Sequence, residues 1–157
     1  MTKFVVYDVF TDHAFGGNQL AVIPDATQLP EDQLQKIARE FNFSESTFVF
    51  PPKDPAHTAK VRIFTPNQEL QFAGHPTIGT AIALADLGQK GDMVLELGVG
   101  SIPCSVDENT AAFTTNVALE ILGHPTPDLM ARALGLPETA VVTSTHMPTQ
   151  ATLGLPF

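Results

Sequence analysis

Short apolar runs separated by Gly and Pro fill the first half of the chain, and their periods predict alternating strands and helices. Phe4 to Phe10 is rich in β-branched and aromatic residues and predicts a strand, after which Phe15-Gly16-Gly17-Asn18 marks a turn. Leu20 to Ile23 predicts a second strand, stopped by Pro24. Pro30 to Phe41 has helical period: Leu34, Ile37, Ala38 and Phe41 share one face, and Glu31 and Asp32 suit the N-terminal dipole. Ser46 to Phe50 and Ala59 to Phe64 predict further strands, the latter alternating Val61 and Ile63 against Lys60 and Arg62.

Thr77 to Leu87 breaks the pattern. Ile78 to Ala85 is apolar on nearly every side and Gly88 follows as a stop, which predicts a helix buried all round. Its small residues imply close approach by surrounding strands. Strands are expected again at Met93 to Leu97, Ile102 to Val106 and Ala111 to Thr115. The fold class this implies is α+β: a mixed sheet curved around one central buried helix, forming a first lobe over residues 1–118. Residues 119–157 differ. They hold a helix from Pro127 to Leu134 with Thr126 as N-cap and Gly135 as stop, a strand from Ala140 to Thr145, and a Pro-rich tail. Leu155-Pro156-Phe157 reads as an incoming strand, so this stretch is either a docked terminal segment or the start of an incomplete second lobe.

Charge narrows the function. The net charge is −9 and no basic run occurs, so nucleic acid and anionic membrane have no electrostatic support as partners. An acidic surface also repels small carboxylates at long range, so an anion site must be local and preformed. Cys104 is the only cysteine, which excludes an intrachain disulfide and fits a cytoplasmic location. Asp8 comes too early for a signal peptide, and the longest apolar stretch falls short of a membrane span.

Three segments carry candidate chemistry. Gly74-His75-Pro76-Thr77 opens the buried helix, where Pro suits the first helical position and the free N–H groups and dipole favour a carboxylate. His75 can donate a hydrogen bond or move a proton near neutral pH. From spacing alone, an ordinary helix start with an exposed histidine is the plainer account. Glu45 lies between Phe43 and Phe48, where desolvation is expected to raise its pKa and make it a general acid/base. A solvent-facing glutamate at a strand edge fits the same spacing. Gly16-Gly17-Asn18 is either a simple turn or an amide placed to hold a carboxylate. The five histidines have no metal-ligand spacing, and no phosphate loop, dinucleotide fingerprint or nucleophile elbow occurs. Gly123-His124-Pro125-Thr126 repeats the helix-start tetrapeptide but precedes a short amphipathic helix. Cys104 sits mid-strand as a small apolar residue.

Five blocks in register carry a resemblance. They are Tyr7 to Thr11, Phe15 to Val22, Phe43 to Phe48, Arg62 to Pro66 and Glu69 to Gly79. Together they resemble the PhzF (phenazine biosynthesis) family, which shares the diaminopimelate epimerase fold. The resemblance implies two similar lobes, each a sheet wrapped round a central helix, with the site between them. It implies isomerisation of a small unsaturated or cyclic carboxylic acid by proton transfer without cofactor or metal. The catalytic glutamate falls on Glu45 and the histidine on His75; substrate contacts fall on Asn18, Ser44 and Gly74, with Pro76 and Thr77 completing the motif. Related epimerases use a cysteine pair, but Ala73 precedes the motif's Gly here, which disfavours thiolate chemistry. Gln19 and Gln71 stand where the family often has proline, and Ser46 where it often has threonine. The second-lobe Glu-Asp-Pro-Ala-Thr-Gly-Ser-like motif, with its aspartate, has no counterpart in the chain. Full turnover is therefore expected of a two-lobe system. The alternative for this polypeptide is a catalytically inert half that binds ligands or associates as a homodimer through the face meant for the second lobe.

Overall fold

The computed structural model describes residues 2–89, 91–115 and 118–152. The chain divides into two compact units, Met1–Asn116 and Val117–Phe157.

The first unit begins with β1 (Val5–Val9) and β2 (Asn18–Ile23), an antiparallel pair in register from Val5↔Val22 to Val9↔Asn18. Helix α1 (Glu31–Phe41) then returns the chain so that β3 (Glu45–Phe50) lies parallel to β2. Parallel neighbours require such a crossover, and α1 supplies it. Asn42 ends α1 in the left-handed conformation (φ 55°), its N–H donating to the Ala38 carbonyl. β4 (Ala59–Phe64) pairs antiparallel with β3, and the two-residue β5 (Glu69–Leu70) pairs with β4. Helix α2 (Gly74–Asp86) is the second crossover, leading to β6 (Met93–Leu97) parallel to β4. β7 (Gly100–Asp107) and β8 (Thr110–Phe113) finish the sheet antiparallel. The path is β1-β2-β3-β4-β6-β7-β8, and α2 touches β1, β2, β3, β7 and β8, so the mixed sheet curls around it as a half-barrel. The α+β architecture expected from the apolar pattern is the one observed.

Strand alternation sorts the core into two layers. Val9, Leu20, Val22, Val49, Val61 and Ile63 face α2, whereas Ile23, Phe48 and Phe64 pack with Leu34 and Ala38 of α1. Thr47 and Thr80 are fully buried between β3 and α2, their hydroxyls 2.9 Å apart. Small residues on α2 let the strands come close: a Cβ on Gly79 would lie 2.5 Å from Leu20 Cδ2 and 2.7 Å from Val9 Cγ2.

Two expectations need correction. α2 begins at Gly74, not Thr77, so Pro76 is its third residue rather than its first. Ala73 is extended (φ −155°, ψ 138°) and serves as N-cap; Pro76 still falls among the first-turn positions whose N–H has no intrahelical acceptor. The expected strand Ala140–Thr145 does not form. In its place a 3₁₀ turn, Glu138–Ala140, is followed by irregular chain, and Val142 is exposed. Val141-Val142 has β-propensity, and Val141 is partly buried, but no described strand pairs with the segment.

The second unit contains helix α3 (Pro127–Leu134), begun by the Thr126 hydroxyl accepting from Leu129 N (3.3 Å) and ended by Gly135 at φ 67°. Those are the caps read from the sequence. β9 (Glu120–Gly123) pairs antiparallel with β10 (Gln150–Thr152). The strand expected at Leu155-Pro156-Phe157 lies outside the described residues. Among the described residues no helix is long and apolar enough to cross a membrane, and no group of His, Cys, Asp and Glu is placed to hold a metal ion.

Candidate active site

The parallel pairing of β2 with β3 sets Leu20 against Glu45, so Asn18 and Glu45 reach the same end of the curled sheet. The N-terminus of α2 opens at that end. His75 is the second residue of α2, and its ring touches both strands. Nδ1 lies 2.8 Å from Glu45 Oε2, and Nε2 lies 3.1 Å from the main-chain carbonyl oxygen of Asn18. Both side chains are mostly buried, at 9% exposure for His75 and 17% for Glu45.

These two contacts constrain the protons. A carbonyl oxygen only accepts, so Nε2 carries a hydrogen and donates it to Asn18. The 2.8 Å contact at Nδ1 then holds one further proton. It sits either on Nδ1, facing an ionised Glu45, or on Glu45, facing a neutral imidazole. The hydrogen bond from His75 lowers the Glu45 pKa below its ordinary value, outweighing burial. This corrects the sequence expectation of a raised Glu45 pKa. Burial does raise it, but a partner thirty residues away in sequence acts more strongly.

Ser44 and Asn18 also meet: Ser44 Oγ donates to Asn18 Oδ1 at 2.8 Å, which leaves the Asn18 amide nitrogen to donate elsewhere. A recess of about 410 Å³ beside this pair is lined by Asn18, Ser44, Phe15, Gly17 and Phe43. At the helix start, the first backbone bond runs from Thr77 N to Ala73 O (3.3 Å), so the N–H groups of Gly74 and His75 lie ahead of the ladder and face forward. Gly74 exposes its backbone there. Pro76 and Thr77 are buried; the Thr77 hydroxyl donates to Ala73 O at 2.7 Å and so holds the helix start. Cys104 is buried in β7, with its thiol pushed up to about 11 by burial.

Glu45, His75, Asn18, Ser44 and Gly74 therefore converge on one helix end. Sequence reasoning assigned the Asn18 amide a role but gave none to its main-chain carbonyl, since no side-chain pattern reports a backbone acceptor. It also passed over Phe10 and Phe113. The Phe10 ring centroid is 6.1 Å from that of His75, and the Phe113 ring lies 3.7 Å from where a Cβ on Gly74 would be.

Comparison with known proteins agrees with the fold. The model of the phenazine biosynthesis-like protein family (PhzC-PhzF) matches residues 7–131. An uncharacterized isomerase of Mesorhizobium japonicum is 40% identical over 99% of this chain and 54% of its own length. The trans-2,3-dihydro-3-hydroxyanthranilate isomerase of Pseudomonas aeruginosa is 44% identical over 68% of this chain and 38% of its own length. Among solved structures, a predicted epimerase of Pseudomonas aeruginosa superposes with a TM-score of 0.81 at 30% identity, covering 99% of this chain and 57% of that one. The chain thus spans about half the length of the curated relatives it matches. On the family match, the shared half-barrel and the isomerase relatives, the chain belongs to the phenazine biosynthesis-like (PhzC-PhzF) protein family.

Proposed function

We propose that the Glu45–His75 pair is the proton-transfer site of a PhzF-like isomerase acting on a small unsaturated or cyclic carboxylic acid. The observation that carries this reading is the 2.8 Å contact between His75 Nδ1 and Glu45 Oε2 at the open N-terminus of α2. A general base must be ionised at working pH, and the His75 hydrogen bond keeps Glu45 so. The substrate carboxylate lies against the Gly74 and His75 N–H groups at the positive helix end, with the Asn18 amide beside it. Glu45 removes a proton from a carbon activated by conjugation to the acid. The electron pair moves into the unsaturated system as a dienolate, and the charge is stabilised by the helix N-terminus and by His75. The resulting Glu45 carboxylic acid returns the proton at another carbon of the system. No electron leaves the substrate, so the step balances as an isomerisation.

Proton removal needs only the base and the anion cradle, and both belong to this chain. The assay is therefore exchange of carbon-bound hydrogen in D₂O, followed by proton NMR with trans-2,3-dihydro-3-hydroxyanthranilate, the substrate in the name of the Pseudomonas relative. Wild type is expected to catalyse exchange, and Glu45→Gln to slow it by about 100-fold or more. Undiminished exchange in Glu45→Gln would sink the assignment. Binding of the acid without exchange in wild type would move the function to the alternative, a ligand-binding half.

A further inference from the structure

We propose that Phe10 is the positioning and specificity residue of this site, its ring forming the wall against which the flat, unsaturated part of the acid lies. The inference rests on the isomerase reading of the same site and adds a residue to it.

Three features set Phe10 apart from an ordinary residue at a strand end. The residue is 72% exposed. Its φ is 66°, in the left-handed region where a Cβ is crowded and Gly or Asn is the usual occupant. Its ring is 6.1 Å from the His75 ring, inclined by 53°. A strained residue persists only where its surroundings hold it, and such residues cluster at working sites.

The surroundings do hold it. β1 stays paired with β2 up to Val9↔Asn18, immediately before Phe10. Gly17 packs so closely against the strand that a Cβ there would lie 2.5 Å from the Val9 carbonyl oxygen. The Thr11 hydroxyl accepts from His13 N and donates to His13 O, both at 3.1 Å. Phe15 N donates to Asp8 Oδ2 at 2.6 Å, and Gly16 N to His13 O at 3.2 Å. The loop after β1 is thus tied to itself and to its strand, and it presents the Phe10 ring instead of folding it inward. Phe15 of the same loop is also left-handed (φ 68°) and exposed, so what singles out Phe10 is the placement of its ring beside His75. At the other sheet edge, Phe113 at the end of β8 lies beside Gly74 and packs edge-on against Phe72, with centroids 5.5 Å apart. Phe113 is therefore held by a ring partner within the fold, while the Phe10 face remains open. An acid whose carboxylate sits on the Gly74 and His75 N–H groups has that face beside it. A planar, conjugated body matches it, and a puckered saturated ring of equal size does not.

The test is an NMR titration of this chain with benzoate, cyclohexanecarboxylate and acetate. Wild type is expected to prefer benzoate to cyclohexanecarboxylate. Phe10→Leu and Phe10→Gly are expected to weaken benzoate by roughly three- to tenfold and to abolish the preference, leaving acetate unchanged. Phe10→Gly suits the left-handed backbone, so its effect reports the ring and not a disturbed loop. Phe10→Tyr is expected to restore the preference. The inference is overturned if wild type does not bind benzoate, if Phe10→Gly binds it as well as wild type, or if acetate weakens in parallel. Those outcomes leave the Glu45→Gln exchange result untouched, so a failure here is separable from failure of the proton-transfer reading.

Discussion

Gly79 is where the packing around the central helix leaves least room, and replacing it by alanine sets two known effects against each other. Alanine in a helix interior is favoured over glycine by about 1 kcal/mol. Overpacking a filled core costs about 1–3 kcal/mol. The structure decides between them. The new Cβ would lie 2.5 Å from Leu20 Cδ2 and 2.7 Å from Val9 Cγ2, where carbons at rest stand roughly 3.5–4.0 Å apart. Leu20 is fully buried and Val9 nearly so, although Val9 and Gly79 both line a cavity of about 630 Å³ on the β1 side. Either α2 moves away from β1 and β2 by about 1 Å, or both side chains leave their rotamers. The expected net result for Gly79→Ala is a loss of about 1–2 kcal/mol, read as a lower urea midpoint at unchanged slope. Gly74→Ala is the control, because its Cβ would meet Phe113 at an ordinary 3.7 Å. It should be neutral or slightly stabilising. Displacement of α2 also lengthens the contacts of His75 to Glu45 and Asn18, so the His75 ring resonances should shift in Gly79→Ala. Wild-type or higher stability for Gly79→Ala would refute the close-packing argument.

Two further outcomes follow from buried and clasped polar groups. Thr47→Val or Thr80→Val alone should cost about 1–3 kcal/mol, because each strands the other hydroxyl in the core. The double variant should cost clearly less than the sum in a denaturation cycle, and strict additivity would show that the hydroxyls do not pair. Glu96 accepts from Lys53 N (2.9 Å), Asp54 N (2.8 Å) and the His57 ring (2.9 Å), which hold its carboxyl down at about 2. A depressed folded pKa stabilises above the ordinary glutamate value and is lost as pH falls from about 4.5 toward 2. Glu96→Gln should therefore flatten the acid limb of a stability-against-pH curve, and an unchanged limb would show that the clasp is not what titrates there.

The outline of the fold was legible because its elements are periodic. Leu34, Ile37, Ala38 and Phe41 marked one face of α1, and the unbroken apolar run of α2 marked a helix buried on all sides. What escaped depended on partners far along the chain. Ala140 to Thr145 has the composition of a strand, but strand formation needs a neighbour, and the chain supplies none there. The α2 start was displaced because Ala73 caps the helix without a side-chain hydrogen bond and so carries none of the Ser, Thr, Asp or Asn signal that marks an N-cap. The site was half legible: the motif positions of Glu45 and His75 were named, but not their contact, which spans thirty residues and needs β3 to lie parallel to β2. Phe10 left no trace because a left-handed phenylalanine looks like any other apolar residue in sequence.

The Glu45 pKa is the most instructive miss, because both answers address the same electrostatic problem. A substrate carboxylate and a glutamate in one small cleft repel each other, and a chain of net charge −9 offers no long-range relief. Raising the glutamate pKa would remove the repulsion by neutralising Glu45, but a neutral carboxylic acid cannot accept a proton. The His75 hydrogen bond favours the ionised Glu45, and in the proposed reaction compensation falls on both groups. There the helix N-terminus, worth about half a positive charge, is the partner of the substrate acid. Nδ1 of the His75 ring faces Glu45, and the Asn18 carbonyl fixes the ring through Nε2. In the proposed reaction, once Glu45 takes a proton its charge vanishes and the same donors serve the dienolate, where the charge then resides. On that proposal one set of donors serves the resting base and the charged intermediate in turn, provided that strand, helix and backbone carbonyl stay in register.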